Sequence, residues 1–451
     1  MLKQTIKNFV SRLFNPAAPR PTGPQRLSVD QHHIDRRLVS RHAVKVCEVL
    51  QQHGFEGYIV GGAVRDLIAG LEPKDFDVST NATPEQIRPL FRRARIIGRR
   101  FKLVHVVFGR EIIETSTFRA DGKNEEITDN HGRLLRDNDY GELKDDAKRR
   151  DFTLNALYYD PTTETVIDYH NGFDDLKNRV VRIIGDAETR YREDPVRMLR
   201  AMRFAAKLDA TIDPDTHAPI AATAELIKNV PESRLFDESI KLLGCGNALM
   251  CLKLIHAEGL HHHLFPLMDE LLANEEDLRF VDNALARTDS RVRTGKTISP
   301  SFLFASLLWP QVRKKWLAYQ AQGQHGAQAI ASASDDVLAT QGRAMPIQKR
   351  FQSDMREIWF TQTRFARVNN RAIWRMIEQP RFRAAVDFLQ LRAAVKEVDS
   401  VDAQWWMDLA DASPDKRAAL IEERTPPKRS SPAKRTRRKP RRARKSIKVD
   451  N

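Results

Sequence analysis

The stretch YIVGGAVRD occupies residues 58–66, and KDFDV follows it at residues 74–78. The apolar opening Tyr58–Val60 predicts a short buried strand, and Gly61-Gly62 predicts a tight turn into a helix. Glycines at such a turn let backbone N–H groups approach a phosphate closely. A strand, a glycine turn and a helix are also common where no phosphate binds, so this stretch alone is a weak indication of function.

Two carboxylates follow on the next predicted strand, Phe76–Val78. Strand alternation puts Asp75 and Asp77 on one face, with Cα atoms about 6.5–7 Å apart. Such a pair can share Mg²⁺, which also takes phosphate oxygens and water. A lone Asp-x-Asp is often a solvated acidic turn, but this one lies in an apolar strand shortly after a glycine turn. The combination is more specific than either motif alone.

The strands predicted at Leu103–Phe108 and Glu111–Thr117 belong to the same sheet, with a helix at Pro84–Arg93. Glu114 is a third carboxylate directed at the aspartate pair or an edge glutamate facing water, and alternation leaves both alternatives open. Residues 120–146 are rich in Asp, Asn, Gly and Lys. They predict a mobile loop whose length suggests a function.

The segment KRRDFTLNAL occupies residues 148–157. Asp151 stands between two arginines and an apolar run that predicts a helix containing Asn155. One interpretation is an ordinary helix N-cap at Asp151. The functional interpretation gives Arg149 and Arg150 contacts with a triphosphate or a nucleic-acid strand, and Asp151 a role in the active site.

The segment REDPVRMLRAMRF, residues 192–204, predicts a helix that Asp194 caps, with Pro195 at its first position. Asp194 and Arg197 share a face, as do Arg197 and Arg200. The alternative is a capped helix with a surface ion pair. A carboxylate acceptor beside a guanidinium donor matches the edges of adenine and cytosine and opposes those of guanine and uracil. The pair would select ATP and CTP over GTP and UTP without separating the first two.

Four motifs therefore stand in order: Gly61-Gly62-x-x-Arg65-Asp66, Asp75-x-Asp77, Arg149-Arg150-Asp151 and Glu193-Asp194-x-x-Arg197. In this order they resemble class II template-independent RNA nucleotidyltransferases, the family of bacterial poly(A) polymerases and tRNA CCA-adding enzymes. The resemblance implies an α+β fold, with a small mixed αβ head followed by a mostly helical neck, body and C-terminal domain. It also implies nucleotidyl transfer assisted by two Mg²⁺ ions, with ATP as substrate.

The residue patterns and the resemblance together predict the following roles, with Glu114 included for the alternative in which it faces the aspartate pair. The catalytic residues are Asp75, Asp77 and Asp151, the metal ligands are Asp75, Asp77 and Glu114, and the nucleotide-binding residues are Gly61, Gly62, Arg65, Asp66, Arg150, Asn155, Asp194, Arg197 and Arg200.

Two features favour the poly(A) polymerase branch. The segment IIGRRFKLVHV, residues 96–106, resembles a stretch that marks these enzymes, and the basic C-terminus is similar to theirs. The predicted function is transfer of AMP from ATP to RNA 3′ ends with release of pyrophosphate, promoting RNA turnover. The alternatives are CCA addition to tRNA and a non-enzymatic RNA-binding protein, which the intact aspartate pair disfavours. A zinc site formed by Cys245, Cys251 and His256, or by His261–His263, is not expected, because the spacing does not suit a tetrahedral site.

The net charge of +15 is concentrated at the two ends of the chain. Residues 424–448 contain 13 Lys and Arg and no acid, and residues 1–29 contain five and no acid. Residues 30–423 contain 57 basic and 59 acidic residues and are almost neutral. Cationic arms on a neutral body predict a polyanionic partner, and RNA is favoured over a membrane surface because phosphate contacts dominate such binding. The predicted RNA-binding residues are Arg435, Arg437, Arg438, Lys439, Arg441 and Arg442.

The length of 451 residues predicts several domains. Only three cysteines, none in a CxxC, favour a reducing, cytoplasmic compartment, and the lack of an apolar run of about 18 residues excludes a transmembrane span. A monomer is expected. The partners expected are RNA 3′ ends, ATP and proteins of RNA decay, with peripheral membrane contact through the amphipathic N-terminus. The expected domains are an arm at 1–30, a catalytic head at 31–185, a helical neck at 186–270, a helical C-terminal domain at 271–415 and a disordered basic tail at 416–451.

Helical periodicity gives the remaining expectations. Residues 321–343 show no clear pattern. Helices are predicted at 35–53, 195–208, 233–243, 247–258, 264–288, 348–361 and 381–397.

Overall fold

The structure is a computed structural model that describes residues 23–98, 102–120, 140–366 and 369–424. The first third of the chain forms one eight-stranded sheet, in the order β1-β8-β7-β2-β3-β6-β5-β4. Its strands are β1 Gln25–Leu27, β2 Tyr58–Val60, β3 Asp77–Thr80, β4 Ala94–Ile97, β5 Leu103–Phe108, β6 Glu111–Thr117, β7 Leu157–Asp160 and β8 Thr165–Asp168.

The centre of the sheet carries the motifs of the head. Strand β3 runs antiparallel to β2 and parallel to β6, and the other neighbouring strands pair antiparallel. Strand β2 leads directly into the glycine turn, and β3 begins at the second aspartate of the pair. Both motifs therefore meet in the middle of the sheet.

Short helices cover the sheet. The longest has Ser40 as its N-cap, whose hydroxyl accepts hydrogen bonds from the N–H groups of His42 and Ala43. Its buried residues recur at helical spacing and form one apolar face against the sheet. The helices of this region are α1 Val29–His32, α2 Arg41–Gln52, α3 Gly62–Ile68, α4 Pro84–Leu90, α5 Leu143–Arg149 and α6 Gly172–Lys177.

After β8 the described chain is helical apart from the two-residue strands β9 Val180–Val181 and β10 Thr211–Ile212. One hydrophobic core runs from the sheet into these helices, and a second core joins residues 365–421. The helices are α7 Ala187–Glu193, α8 Val196–Leu208, α9 Pro214–His217, α10 Ile220–Thr223, α11 Glu232–Leu243, α12 Ala248–Ala257, α13 Met268–Ala273, α14 Glu275–Arg293, α15 Pro300–Ala321, α16 Ala327–Ala344, α17 Lys349–Gln362, α18 Asn370–Ile377, α19 Phe382–Ala394, α20 Ser400–Asp411 and α21 Pro414–Arg424.

The head differs from the sequence prediction in one central element. The apolar run after Asp151 is not an α-helix: it forms a 3₁₀ turn at Thr153–Asn155 and then strand β7, which pairs with β2 and β8. A short apolar run that is buried on both sides has no periodicity that distinguishes a strand from a helix. Its pairing with neighbouring strands in the sheet determines that it is a strand. The predicted loop at 120–146 lies largely outside the described residues, although its end, from Leu143, belongs to α5.

Three helical boundaries were also wrong. The helix predicted at 35–53 begins only at Arg41, after a 3₁₀ turn at Arg36–Leu38. The helix predicted at 264–288 is split, because the Asn274 side chain accepts from the N–H groups of Glu276 and Asp277 and starts α14. The tail predicted as disordered from residue 416 is helical as far as Arg424, since Ile421 is buried in the second core. Residues 425–451 and the predicted N-terminal amphipathic helix lie outside the described residues. Among the described helices, none has the length and apolar character needed to cross a bilayer.

Candidate active site

The aspartate pair lies at the start of the central strand β3. Asp75 precedes the strand and Asp77 opens it. Both are exposed, whereas Phe76 between them is buried at 7% exposure. This alternation puts the two carboxylates on the same side of the sheet, as the sequence predicted.

Glu114 lies beside the pair because of strand register. Asp77 is the cross-strand partner of Glu114 on β6, and Glu114 is in turn the partner of His105 on β5. The imidazole Nε2 of His105 is 3.4 Å from a carboxylate oxygen of Glu114. Of the two alternatives for Glu114, the structure has the one in which it is directed toward the aspartate pair.

The electrostatics of this face favour a cation. Although the residue as a whole is exposed, crowding of its carboxylate by protein atoms is the first cause that raises the pKa of Asp77 to about 6; the Glu114 carboxylate is the second, and Asp75 has a smaller effect. The guanidinium of Arg150 opposes this rise. Three carboxylates on one face of the sheet supply hard oxygen ligands of the kind that Mg²⁺ prefers, so the residue types present fit the predicted metal.

Arg150 lies on the same face as Asp77. One of its nitrogens donates to the Ser79 hydroxyl at 3.1 Å, and Ser79 is two residues beyond Asp77 on β3. The guanidinium also donates to Asp146 at 3.0 Å and to the hydroxyl of Tyr158 at 2.8 Å. These buried partners fix a cation beside the carboxylates.

Gly61 allows this approach. Its φ of 74° lies in the region that strains residues with a side chain, and a Cβ built there would be 3.5 Å from Nη1 of Arg150. The glycine turn therefore brings backbone, rather than a side chain, next to the guanidinium.

Asp151 joins the sheet region to α8. Its carboxylate accepts from Nε of Arg200 at 2.6 Å, from the amide of Asn155 at 3.0 Å and from the N–H of Phe152 at 2.8 Å. Burial alone would raise the pKa of Asp151, but Arg200 and these hydrogen bonds outweigh it and hold the pKa at about 2. With both oxygens engaged, Asp151 is an ionised anchor for α8.

A second connection joins α3 to α8. The guanidinium of Arg65 donates to Asp66 at 2.7 Å and to the amide oxygen of Asn155 at 2.7 Å. The other oxygen of Asp66 accepts from Lys207 at 2.7 Å. Arg65, Asp66 and Asn155 are all at least 92% buried, so most of their polar surface is used inside the protein.

One cation in this region was missed by sequence reasoning. Arg203 lies over the ring of Phe204 at 4.4 Å, and its Nε is buried without a hydrogen-bond partner among the described residues. Burial and the neighbouring Arg200 lower the pKa of the Arg203 guanidinium. Its spacing of three residues from Arg200 was the available signal, since it puts both on one helix face.

The Asp194 and Arg197 side chains are each held by a different neighbour. Asp194 accepts from Arg234 at 2.6 Å and from the N–H of Val196 at 3.3 Å. Arg197 donates through Nη1 to Glu193 at 2.7 Å. The ion pair of the capped-helix alternative, between Asp194 and Arg197, is therefore not formed, and the helix begins at Val196, one residue later than predicted.

Arg190 connects the helix start at Asp194 with the segment that contains Asp151. Its guanidinium donates to the carbonyls of Arg149 and Arg150 and to Glu193. The helix start that carries Asp194 is thus tied to the segment that carries Asp151. The predicted RNA-binding residues from Arg435 to Arg442 lie outside the described residues.

Comparison with known proteins agrees with this arrangement. Residues 57–182 match the family described as "Poly A polymerase head domain", residues 209–272 match "Probable RNA and SrmB- binding site of polymerase A", and residues 322–445 match "Polymerase A arginine-rich C-terminus". The poly(A) polymerase I of Salmonella typhi is 44% identical over 406 residues, with 87% of each chain covered.

CCA-adding enzymes are more distant. That of Geobacillus stearothermophilus is 37% identical over 50% of this chain and 54% of its own. The crystal structure of the Bacillus stearothermophilus CCA-adding enzyme in complex with CTP has a TM-score of 0.53 at 26% identity, covering 85% of this chain and 83% of the other. The motifs, the fold and the extent of these matches lead to one conclusion: the chain belongs to the poly(A) polymerase family, whose members are polynucleotide adenylyltransferases.

Proposed function

We propose that this enzyme transfers AMP from ATP to the 3′-OH of RNA, releases pyrophosphate, and acts without a template. The observation that supports the proposal most directly is that Asp75, Asp77 and Glu114 share one face of the sheet, beside Arg150. We further propose that the activity is cytoplasmic and promotes RNA turnover.

In this proposal Asp75, Asp77 and Glu114 hold two Mg²⁺ ions. When bound, these ions would supply the positive charge that favours attack by the RNA 3′-OH and neutralises the leaving pyrophosphate. His105 orients Glu114 by its contact with the carboxylate. Arg150, fixed by Asp146, offers a preorganised guanidinium to the triphosphate.

Two buried groups have positioning roles in the proposal. Asp151 holds Arg200, and Asp66 holds Lys207, so both keep helix α8 against the head. Helix α8 carries Arg197, which with Asp194 reads the base. Gly61 and Gly62 keep the backbone of the turn next to the guanidinium groups of Arg150 and Arg65.

The experiment that tests the activity is incubation of the purified full chain with Mg²⁺, a generic RNA and each nucleoside triphosphate separately. We expect long extension with ATP alone. Addition of two C residues and one A to a truncated tRNA, without long A tails, would instead identify CCA addition.

Arg197→Ala should weaken the preference for ATP over GTP and UTP. Nη2 and Nε of Arg197 have no acceptor among the described residues, which leaves donors for a base edge, while Glu193 holds the guanidinium in place. Relative kcat/KM for the four triphosphates gives the measurement. We expect discrimination to fall by roughly 10-fold or more, since a good bidentate contact contributes about 1–3 kcal/mol.

Arg192→Ala is the matched control, because Arg192 is an exposed arginine nearby that pairs with Glu188 at 2.7 Å. It should leave the preference unchanged. Unaltered selectivity in Arg197→Ala would mean that Arg197 does not read the base and that this segment is an ordinary capped helix.

Truncation after Arg424 should weaken RNA binding and flatten its salt dependence. Arg424 itself lies over the ring of Trp405 and pairs with Asp402, so the cut leaves α21 intact. The removed residues 425–448 contain 12 Lys and Arg. If about six of them contact phosphates, they contribute about −4 to the slope of log K for RNA binding against log salt concentration. The truncated protein should lack this contribution.

Binding titrations at several salt concentrations test this, with turnover at saturating RNA as the control. Turnover and ATP preference should survive, because the tail contacts the RNA backbone and not the base. An unchanged salt slope would mean that the phosphates are held elsewhere, for example by the arginines between Arg364 and Arg383.

A further inference from the structure

Two histidines and an aspartate converge in the helical region, on a part of the chain that the proposed reaction does not use. His256 lies near the end of α12, His261 lies in the 3₁₀ turn Leu260–His263, and Asp269 lies in the first turn of α13. Nε2 of His256 is 2.8 Å and Nε2 of His261 is 3.1 Å from the same oxygen of Asp269. The three ligand atoms all lie within 4.8 Å of one another.

The three side chains form a donor set that suits a metal ion. Nε2 of each histidine faces the same carboxylate oxygen of Asp269, and the His261 ring is only 3% exposed, so packing holds it in place. Burial is also the first cause that lowers the pKa of His261, which favours the neutral ring that a metal requires. A cation among the three groups would take Nε2 of both histidines and an oxygen of Asp269 as ligands.

We propose that His256, His261 and Asp269 bind one transition-metal ion of the Zn²⁺ type, with water completing the coordination. Two imidazoles and a carboxylate are ligands of catalytic and structural zinc sites, whereas Mg²⁺ prefers oxygen ligands alone. Ligand atoms about 3.4 Å apart are expected around tetrahedral zinc with bonds of about 2.1 Å. Relative to that spacing, the contacts of 2.8 Å and 3.1 Å would open by about 0.6 Å and 0.3 Å.

The site is accessible and local. Asp269 and His256 have side-chain exposures of 57% and 36%, which gives a metal a path of entry, and the buried His261 supplies a fixed ligand. A bound ion would fasten the end of α12 to the start of α13 across the 3₁₀ turn. Because it would bind the folded chain, it would raise the thermal stability of this region.

The test measures Zn²⁺ binding to the full chain by equilibrium dialysis in excess Mg²⁺, with Co²⁺ absorption as a report of coordination geometry. To remove metal bound by the proposed catalytic carboxylates, the same measurements are made in an Asp75→Asn/Asp77→Asn background. We expect one Zn²⁺ equivalent in both backgrounds, a tetrahedral Co²⁺ spectrum, and a rise in melting temperature on adding Zn²⁺.

His256→Gln and Asp269→Asn carry the test, because both side chains are partly exposed and their loss leaves the core intact. Each should lower Zn²⁺ affinity by roughly 10-fold or more, since even outer partners of metal ligands have effects of that size. His217→Gln is the matched control: His217 pairs with Glu258 at 2.8 Å but belongs to no three-residue cluster among the described residues. It should bind Zn²⁺ as the parent does.

Two results would overturn the proposal. One is loss of the Zn²⁺ equivalent in the Asp75→Asn/Asp77→Asn background, which would assign that ion to the head. The other is full affinity in both His256→Gln and Asp269→Asn, which would show that the cluster is held by hydrogen bonds alone.

Discussion

Asp77→Asn should lower kcat by a factor of about a thousand or more, while RNA affinity and the fold are retained. The neutral amide binds Mg²⁺ far less well, and loss of metal-derived charge stabilisation at the transferred phosphoryl group has effects of this size. Steady-state AMP incorporation at saturating ATP and RNA measures the loss. Asp75→Ala should give the same result.

The same substitution should stabilise the metal-free protein. The pKa of Asp77 is raised to about 6, so below the ordinary value of 3.8 the side chain is protonated in both the folded and the unfolded state, and stability is lost as pH rises from there through about 6. At neutral pH the charged Asp77 therefore opposes folding, and Asn removes that charge. We expect the melting temperature of Asp77→Asn in chelator to exceed that of the parent above pH 6, with the difference shrinking toward pH 4.

Asp30→Asn serves as the control, because Asp30 is an exposed aspartate in α1, remote in sequence from the motifs. It should leave activity unchanged. If Asp77→Asn kept activity within tenfold of the parent, the assignment of Asp77 as a metal ligand would be wrong. A melting temperature in chelator below that of the parent would contradict the electrostatic argument.

Asp151→Ala should destabilise the protein by about 3 kcal/mol and sharply reduce activity. It leaves Arg200 largely buried and without its carboxylate, and uncompensated charges of this kind are costly. Urea denaturation gives the free energy of unfolding. Asp151→Asn/Arg200→Gln should recover much of this stability, because it leaves no unpaired charge.

The Asp151 interaction also predicts a pH dependence. Because the folded-state pKa of about 2 lies below the ordinary 3.8, its stabilisation is fully present above pH 4 and is lost as pH falls toward 2. In Asp151→Asn this contribution should be absent. Glu188→Ala breaks the exposed pair with Arg192 and should cost less than about 1 kcal/mol. If Asp151→Ala were as stable as Glu188→Ala, the anchoring role of Asp151 would be excluded.

The structure changes what several predicted site residues do. Arg65 and Asp66 belong to the family motifs and, with Asn155, were expected at the nucleotide, but their hydrogen-bond partners in the structure are one another, Asp151 and Lys207. No local pattern could reveal this, because Asp66 and Lys207 are separated by 141 residues. A motif indicates which side chains meet at a site, and packing decides which of them face the ligand.

The sequence by itself determined the local geometry. Period-two alternation around Phe76 put Asp75 and Asp77 on one face, the glycine turn followed its strand, and helical periodicity with Pro195 located α8 to within a residue. These features depend on neighbours within a few positions, which the chain carries in its order.

Only the tertiary structure decided which distant groups meet. The parallel register of β3 and β6 brings Glu114 beside Asp77, and pairing of β7 with both β2 and β8 makes the run at Leu157 a strand instead of a helix. Register and burial are set by the whole sheet, and a shift of one residue would turn Glu114 to the opposite face. Alternation within one strand therefore left its direction open, and the neighbouring strands fixed it.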